Sequence, residues 1–381
     1  MGRRKARPAA VTNGTTMDVA AAAVADAKAE AIAADAATDA VAAAAERRRL
    51  WFAAAKPPMY TVAVTPVLVG TAAAYAATGR FSGTRLGTFL AAAIAIIAWV
   101  NVTNDVFDAA TGIDAHKAES VVNLLGGTVA VQRQLLAAAM AVLAAAAAGL
   151  ASLCVLPGGT GFDPTVMIII GVTVALGYAY QGPPFRLGYY GLGEPIALVC
   201  WTLAVGAAYY AQLPPPAFPP LGAPAVLAPD AIASRLGALA AAYFDPAAGL
   251  GVPAVLVALP TALILLCSHL HQLVDDAAAG KRSPVVRFGT RGVAGLVIGG
   301  VVAMYALQVG GWAAGWLPGA AAASAVVSVP LALRLVVFVA RWHNVPAVIR
   351  PAKYYAVRLH AAHGLALAAG LAASKKYWAP L

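Results

Sequence analysis

Long apolar runs alternate along this chain with short polar connections. A membrane helix needs about 20 apolar residues to cross about 30 Å of hydrocarbon. Runs of this kind lie near residues 58–78, 86–108, 133–156, 165–180, 191–212, 253–274, 292–312, 319–340 and 355–373. The pattern predicts an all-α fold: a polytopic membrane helical bundle of about nine transmembrane helices, of which the fourth is short.

The segments outside these runs define the predicted domains. Residues 1–49 form an N-terminal targeting or tail segment, which begins with basic residues as transit peptides do and continues as an Ala-rich tail or surface helix. Residues 50–373 form the transmembrane domain, and residues 374–381 form a C-terminal tail. A Pro/Ala-rich insertion, residues 213–252, separates the fifth and sixth spans. We expect a short helix around residues 231–243 and assign the insertion no function.

Composition agrees with a membrane protein. The chain is 61% hydrophobic and only 11% charged, whereas an ordinary soluble domain is about 25% charged. The net charge of +10 comes mostly from Lys and Arg between the apolar runs, so it favours membrane orientation and anion binding over nucleic acid. Cys154, Cys200 and Cys267 lie singly inside apolar runs without metal-ligand spacing, and we interpret them as core residues.

Lys and Arg near the ends of the spans collect on one predicted face of the membrane, as the positive-inside rule requires of a cytoplasmic-type side. With nine spans, two acidic stretches fall on that same face, after the second and the sixth span. The candidate chemistry is therefore gathered on one side of the bilayer.

The first acidic stretch places Asn101, Asn104, Asp105 and Asp108 at helical spacing, so that the four side chains share one face of the second span. The second stretch, at the end of the sixth span, is predicted to place His269, Gln272 and Asp276 on one face, with Asp275 beside them. An Asp at mid-bilayer depth costs about 2.5–3.5 kcal/mol, so such groups usually serve function. Oxygen ligands of this kind suit Mg²⁺, with substrate phosphates completing its coordination.

The basic residues around these stretches outnumber those needed to balance the charges of the carboxylates. The excess of positive charge indicates that a polyanion binds here, bridged to the carboxylates by a metal ion. The candidate cationic binders are Lys56, Lys117, Arg133, Arg186, Lys281 and Arg282, and the amides of Asn101, Asn104 and Gln272 complete the predicted substrate- and diphosphate-binding set. A diphosphate with a hydrocarbon tail in the apolar interior fits this arrangement. A transporter is the alternative of a different class, but its acids are expected near mid-span rather than at span ends.

Specific motifs carry a resemblance that covers roughly residues 50–373. They are Asn104-Asp-Val-Phe-Asp-Ala-Ala-Thr-Gly-Ile-Asp114, Gly182-Pro-Pro-Phe-Arg186, Gly191-Leu-Gly-Glu-Pro195 and Ser268-His-Leu-His-Gln272, the last followed by Gly280-Lys. On these motifs the chain resembles the UbiA-type intramembrane aromatic prenyltransferases, which have nine helices and two Asp-rich motifs. The similarity is strongest to the plant and algal branch of the phylloquinone pathway. In the second motif Gln272 stands where the family has its earlier Asp, and Asp276 keeps the later position.

The resemblance implies Mg²⁺ as cofactor and phytyl diphosphate and 1,4-dihydroxy-2-naphthoate as substrates, with the lipid bilayer as surroundings and demethylphylloquinone, a vitamin K1 precursor, as product. It also implies a plastid membrane with the active site on the stromal side. A menaquinone-type polyprenyltransferase and a homogentisate or chlorophyllide prenyltransferase remain alternatives of the same fold. The implied metal ligands are Asp105, Asp108, Asp114, Asp275 and Asp276, and the implied catalytic residues are Asp105, Asp108, Asp276, Lys117 and Arg186.

Overall fold

The computed structural model describes residues 14–112, 117–155, 162–213, 229–245 and 248–374. Several expectations fall outside these ranges. They concern the basic residues 1–13, the candidate ligand Asp114, residues 214–228 of the insertion and nearly all of the C-terminal tail.

The described residues form helices and no strand. The helices are α1 Gly14–Ala55, α2 Thr61–Thr78, α3 Gly83–Thr111, α4 Val121–Leu124, α5 Val129–Cys154, α6 Thr165–Gln181, α7 Gly193–Gln212, α8 Pro229–Phe244, α9 Gly251–His269, α10 Leu273–Ala278, α11 Pro284–Ala313, α12 Gly319–Ala323, α13 Val329–Trp342, α14 Pro346–Ile349 and α15 Ala352–Ala373. Short 3-10 turns, Pro57–Tyr60, Leu187–Tyr190 and Ser324–Val327, complete the described elements.

The chain divides after Ala55 into two units. The first contains α1, an Ala-rich helix whose C-terminal half is exposed and carries an ion pair between Glu46 and Arg49. The second, from Lys56 onward, is the helical bundle that holds all the candidate site residues.

Most of the predicted spans meet the length and hydropathy that a membrane crossing requires. Seven helical stretches of the described chain do so, those that contain α2, α3, α5, α7, α9, α11 and α15, and the bent pair α12–α13 makes up to eight. The predicted fourth span is α6, an apolar helix of 17 residues. The protein is thus an integral membrane protein of the predicted class, and the count of nine spans is approximate.

Small residues let the helices of the bundle pack closely, as is usual in membranes. At Gly70 the backbones of α2 and α7 approach so closely that a Cβ atom would lie 2.3 Å from the carbonyl oxygen of Val205. Gly364 of α15 packs in the same way against Thr65 of α2. Cys154, Cys200 and Cys267 are free and buried, as expected of core residues.

The insertion contains the short helix expected from the sequence, here α8. Its Arg235 is buried and forms an ion pair with Asp163 at 2.6 Å. Leu239 is buried, and the hydroxyl of Tyr243 donates to the carbonyl of Thr202 in α7. The helix therefore packs against the bundle at the ends of α6 and α7 that lie away from the acidic stretches.

The two acidic stretches differ in local structure. α3 is one continuous helix to Thr111, so the predicted shared face of the first stretch is confirmed. The sixth span instead ends at His269, and α10 begins at Leu273 after a break. The expectation of one helical face through His269, Gln272 and Asp276 is wrong, because the chain turns at the buried Leu270 and the intervening residues are not helical.

Candidate active site

Asp105, near the end of α3, is held by two lysines. Its Oδ1 lies 2.8 Å from Nζ of Lys56 and 3.8 Å from Nζ of Lys117, and its Oδ2 accepts a hydrogen bond from the N–H of Val121 at 3.3 Å. The residue is only 2% exposed. A buried carboxylate has to be paired, since desolvation disfavours its charge. This cluster therefore concentrates charge at the end of an otherwise apolar helix.

Lys56 and Arg186 share an unusual backbone conformation. They have φ angles of 49° and 45° and are the non-glycine residues with positive φ in the described chain. Non-glycine residues rarely adopt this region, and when they do they cluster at functional sites. The Nε of Arg186 is buried and has no hydrogen-bond partner within the described chain. Both residues are candidate diphosphate binders from the sequence.

Asp108, one helical turn beyond Asp105, is contacted by Gln181. The Nε2 of Gln181 donates to Oδ1 of Asp108 at 2.8 Å, and Gln181 itself is buried at the end of α6. Sequence reasoning missed this residue. The one signal was a polar residue closing an apolar run before Gly-Pro-Pro, which does not reveal its partner.

The second stretch contributes one buried carboxylate. Asp276 is 4% exposed, its Oδ1 lies 3.6 Å from Nζ of Lys281, and its Oδ2 is buried with no hydrogen-bond partner in the described ranges. Asp275, the neighbouring candidate, is exposed. Gln272 lies in the break before α10 and is half-buried. Of the candidate ligands here, Asp276 alone combines burial with a free acceptor atom.

Tyr189, in the loop between α6 and α7, joins the two stretches. Its hydroxyl donates to Oγ1 of Thr111 at the end of α3, at 3.1 Å. The Nζ of Lys281 lies 5.5 Å from the centre of its ring, and its carbonyl accepts the N–H of Arg282 at 2.7 Å. Gly191 allows this approach, because a Cβ there would lie 2.3 Å from the carbonyl oxygen of Arg282. The two acidic stretches thus meet at one end of the bundle, as the sequence predicts.

A buried pair that the sequence did not reveal lies at the same end. Glu194 starts α7 and His269 ends α9, and the distance between Oε1 and Nδ1 is 3.1 Å. The helix dipoles favour an anion at the first position and a cation at the second. In the turn that follows, burial together with the charges of Lys353 and Arg350 lowers the pKa of His271.

Two candidate cations stay at the surface. Arg133 is exposed on the first turn of α5. The Arg282 side chain is also exposed, and it is the backbone of Arg282 that makes the contact with Tyr189. The cations that lie beside buried carboxylates are Lys56, Lys117 and Lys281.

An apolar cavity of about 330 Å³ opens below the first stretch. Asn101 and Asn104 line it at the end nearest the aspartates, together with Tyr180 and Ser268. The amide Nδ2 of Asn101 is buried without a partner in the described residues. The deeper walls come from α2, α3, α5, α6 and α7 and are almost entirely apolar. Pockets of this size and character bind small apolar molecules with a few polar groups that fix orientation.

The donor chemistry of the carboxylates suits a hard divalent cation. No three His, Cys, Asp or Glu side chains cluster into a complete metal cage within the described chain. Mg²⁺, however, typically takes one or two carboxylates and completes its octahedron with water and substrate phosphates. Asp105, Asp108 and the unpartnered oxygen of Asp276 supply hard oxygen donors of that kind beside lysines that suit a phosphate.

Comparison with known proteins finds relatives that span most of the chain. The family model described as the UbiA prenyltransferase family matches residues 63–356. The chain is 41% identical to a 2-carboxy-1,4-naphthoquinone phytyltransferase of Synechocystis sp., over 84% of this chain and 92% of that protein. It is 36% identical to a chloroplastic protein of the same name from Arabidopsis thaliana, over 84% of this chain and 75% of that protein. A UbiA homologue from Archaeoglobus fulgidus, solved with GPP and Mg²⁺ bound, is 18% identical with a TM-score of 0.51 and shares the fold over 84% of this chain and 99% of its own.

Proposed function

The chain belongs to the UbiA prenyltransferase family, and within it we propose that this enzyme transfers a phytyl group from phytyl diphosphate to 1,4-dihydroxy-2-naphthoate. The ring loses CO₂ in the reaction and diphosphate leaves, so the product is demethylphylloquinol, the reduced form of the vitamin K1 precursor demethylphylloquinone. The relatives from Synechocystis and Arabidopsis are named as phytyltransferases of this kind, and this chain matches most of the length of each. Family membership makes the protein a prenyltransferase rather than a transporter.

The observation that carries the proposal is the Lys56–Asp105–Lys117 cluster at the end of the apolar cavity. An amphipathic diphosphate needs cations for its head and an apolar volume for its tail. Asn101 and Asn104 line the cavity one helical turn or less from Asp105, so the two environments meet on α3. The allylic carbon would lie between them, where the carbon–oxygen bond breaks.

Asp105, Asp108 and Asp276 are the residues that we propose hold Mg²⁺. When bound, the ion would neutralise the negative charge that develops on the diphosphate as it leaves. We assign Lys56, Lys117, Lys281 and Arg186 to the diphosphate oxygens, where fixed cations stabilise the same charge without reorganising.

The remaining polar groups orient the reactants. Gln181 fixes the carboxylate of Asp108, as outer hydrogen bonds commonly do at metal sites. The apolar walls exclude water, which would otherwise capture the allylic cation. The electron-rich naphthoate ring then attacks the cation through the ring carbon that bears the carboxylate. Loss of CO₂ then restores aromaticity. Asn101 and Asn104 face this region of the cavity.

We propose a plastid membrane as the location, with the acidic stretches on the stromal side. The chloroplastic relative and the excess of Lys and Arg on that face support this assignment.

The test is a prenyl-transfer assay with purified protein, Mg²⁺ and phytyl diphosphate, offering 1,4-dihydroxy-2-naphthoate, homogentisate or chlorophyllide in turn. Mass spectrometry should detect demethylphylloquinol with the naphthoate and little product with the other two acceptors. Prenylation of another acceptor without any of the naphthoate would refute the assignment. Asp105→Ala and Asp108→Ala should each abolish turnover in the same assay.

A further inference from the structure

The cavity extends far along α3 in one direction. Its lining residues on this helix run from Asn104, beside the aspartates, to Phe89 near the opposite end. At about 1.5 Å of rise per residue, these two positions are about 22 Å apart. The cavity is therefore deep compared with its volume and suits one extended chain.

The deep end has a floor. Phe89, Leu150 and Ile170 line it and are all buried, with exposed fractions of 3%, 2% and 7%. Leu150 lies at the level of Phe89, because a Cβ at the adjacent Gly149 would lie 3.7 Å from Cγ2 of Thr88. Side chains of α3 and α5 thus meet at the same depth.

Close helix packing prevents the cavity from continuing between α2 and α7. Val67 and Ala204 are its deepest lining residues on α2 and α7. Immediately beyond them, α2 and α7 touch through Gly70 and the carbonyl of Val205. At the next residue of α7, Gly206, Tyr243 of α8 packs directly on the helix. A longer chain therefore has no path between α2 and α7, and on the other side of the cavity it is the side chains of Phe89 and Leu150 that close the floor.

Resting on the proposed phytyl transfer, we propose that Phe89 and Leu150 limit the isoprenoid donor to about 20 carbons by closing the floor of the cavity. With carbon–carbon bonds of about 1.5 Å, the phytyl backbone of about 16 carbons extends about 19 Å, which matches the depth. An octaprenyl backbone of about 32 carbons extends about 40 Å and exceeds it. These residues thereby separate a phytyltransferase from a menaquinone-type polyprenyltransferase.

The experiment measures kcat/KM for geranyl, phytyl and octaprenyl diphosphate with 1,4-dihydroxy-2-naphthoate. Wild-type protein should use phytyl diphosphate at least about tenfold better than octaprenyl diphosphate, the discrimination that apolar pockets provide. Phe89→Ala opens the floor and should raise the ratio of octaprenyl to phytyl transfer about tenfold. Phe81→Ala is the matched control, because Phe81 is exposed before α3 and does not line the cavity.

Ala93→Phe tests the same floor in the opposite direction and does not depend on the stability of the enlarged cavity. Ala93 lines the cavity one turn above Phe89, so a ring there shortens it. Geranyl transfer should persist while phytyl transfer falls about tenfold.

The outcomes separate this inference from the proposed function. Equal use of octaprenyl and phytyl diphosphate by wild-type protein would mean that the isoprenoid chain leaves sideways into the bilayer. This result would refute the limit on donor length but not the proposed phytyl transfer. An equal loss of kcat/KM for donors of all chain lengths in Ala93→Phe would also refute the limit on donor length. Failure to prenylate the naphthoate with any donor would instead refute the proposed function.

Discussion

Replacing Lys56 by Met removes one of the two cations that hold Asp105. In a medium of effective dielectric constant about 20, the gross attraction to Asp105 is about 6 kcal/mol for Lys56 at 2.8 Å and about 4 kcal/mol for Lys117 at 3.8 Å. Lys117 alone therefore still supplies about 4 kcal/mol of gross attraction, and Asp105 is not left as an unpaired buried charge. We expect Lys56→Met to fold.

The effect on catalysis should be larger than the effect on folding. If Lys56 binds the leaving diphosphate, its loss removes a fixed charge at the place where negative charge develops, which typically costs about 2.7 kcal/mol or about 100-fold in rate. We expect kcat/KM for phytyl diphosphate to fall about 100-fold. Steady-state kinetics in nanodiscs, with thermal unfolding as the check on folding, measure both quantities.

Lys56→Arg is the matched control. Arginine retains the positive charge and, like lysine, is a non-glycine residue in the left-handed backbone conformation, so activity should stay within about tenfold of wild type. The double variant Lys56→Met/Lys117→Met leaves Asp105 without a lysine and should lose about 3–5 kcal/mol of stability. Wild-type kcat/KM in Lys56→Met would show that the lysine only neutralises Asp105, and the diphosphate role would be refuted.

Three further predictions follow from the same site. Removal of Mg²⁺ with EDTA should abolish prenyl transfer, and excess Mg²⁺ should restore it; activity that survives chelation contradicts the metal assignment. Asp276→Asn should reduce turnover about 100-fold or more. Asp275→Asn, the same change at an exposed neighbour, should leave turnover within about threefold of wild type. Similar losses in both variants would contradict the proposed role of Asp276 as a Mg²⁺ ligand. Gln181→Leu should weaken activation by Mg²⁺ about tenfold because the hydrogen bond from Gln181 to Asp108 is lost. Gln181→Glu, which places a carboxylate opposite Asp108, should weaken it more. An unchanged Mg²⁺ dependence in Gln181→Leu would exclude a supporting role for Gln181.

The sequence predicted the first acidic stretch well because its geometry is local. Asn101, Asn104, Asp105 and Asp108 lie in one helix, so their spacing alone places them on one face. The break after His269 could not be predicted in this way, because the chain turns where Leu270 is buried by contacts with distant parts of the bundle. Periodicity continued the helix through a segment where packing ends it.

Long-range partners were harder still. Gln181 meets Asp108 across 73 positions of sequence and Glu194 meets His269 across 75. Neither pair has a spacing rule, and each residue alone is an unremarkable polar group at the end of a span. Tyr189 gave no signal because its role depends on where two other loops lie. The fold class and the membrane-spanning character thus follow from the sequence, whereas the contacts between distant polar residues require the fold.

At Lys56 and Arg186, directed evolution would face a conflict between backbone stability, which favours glycine, and function, which uses the positive charge. Glycine adopts this conformation freely, and a non-glycine residue there gives up about 1–2 kcal/mol. A screen that rewards thermal stability or expression would favour glycine at Arg186 while discarding a charge of the proposed site. Engineering this enzyme for robustness therefore calls for holding both positions fixed, since stability gained at strained functional residues is commonly offset by lost activity.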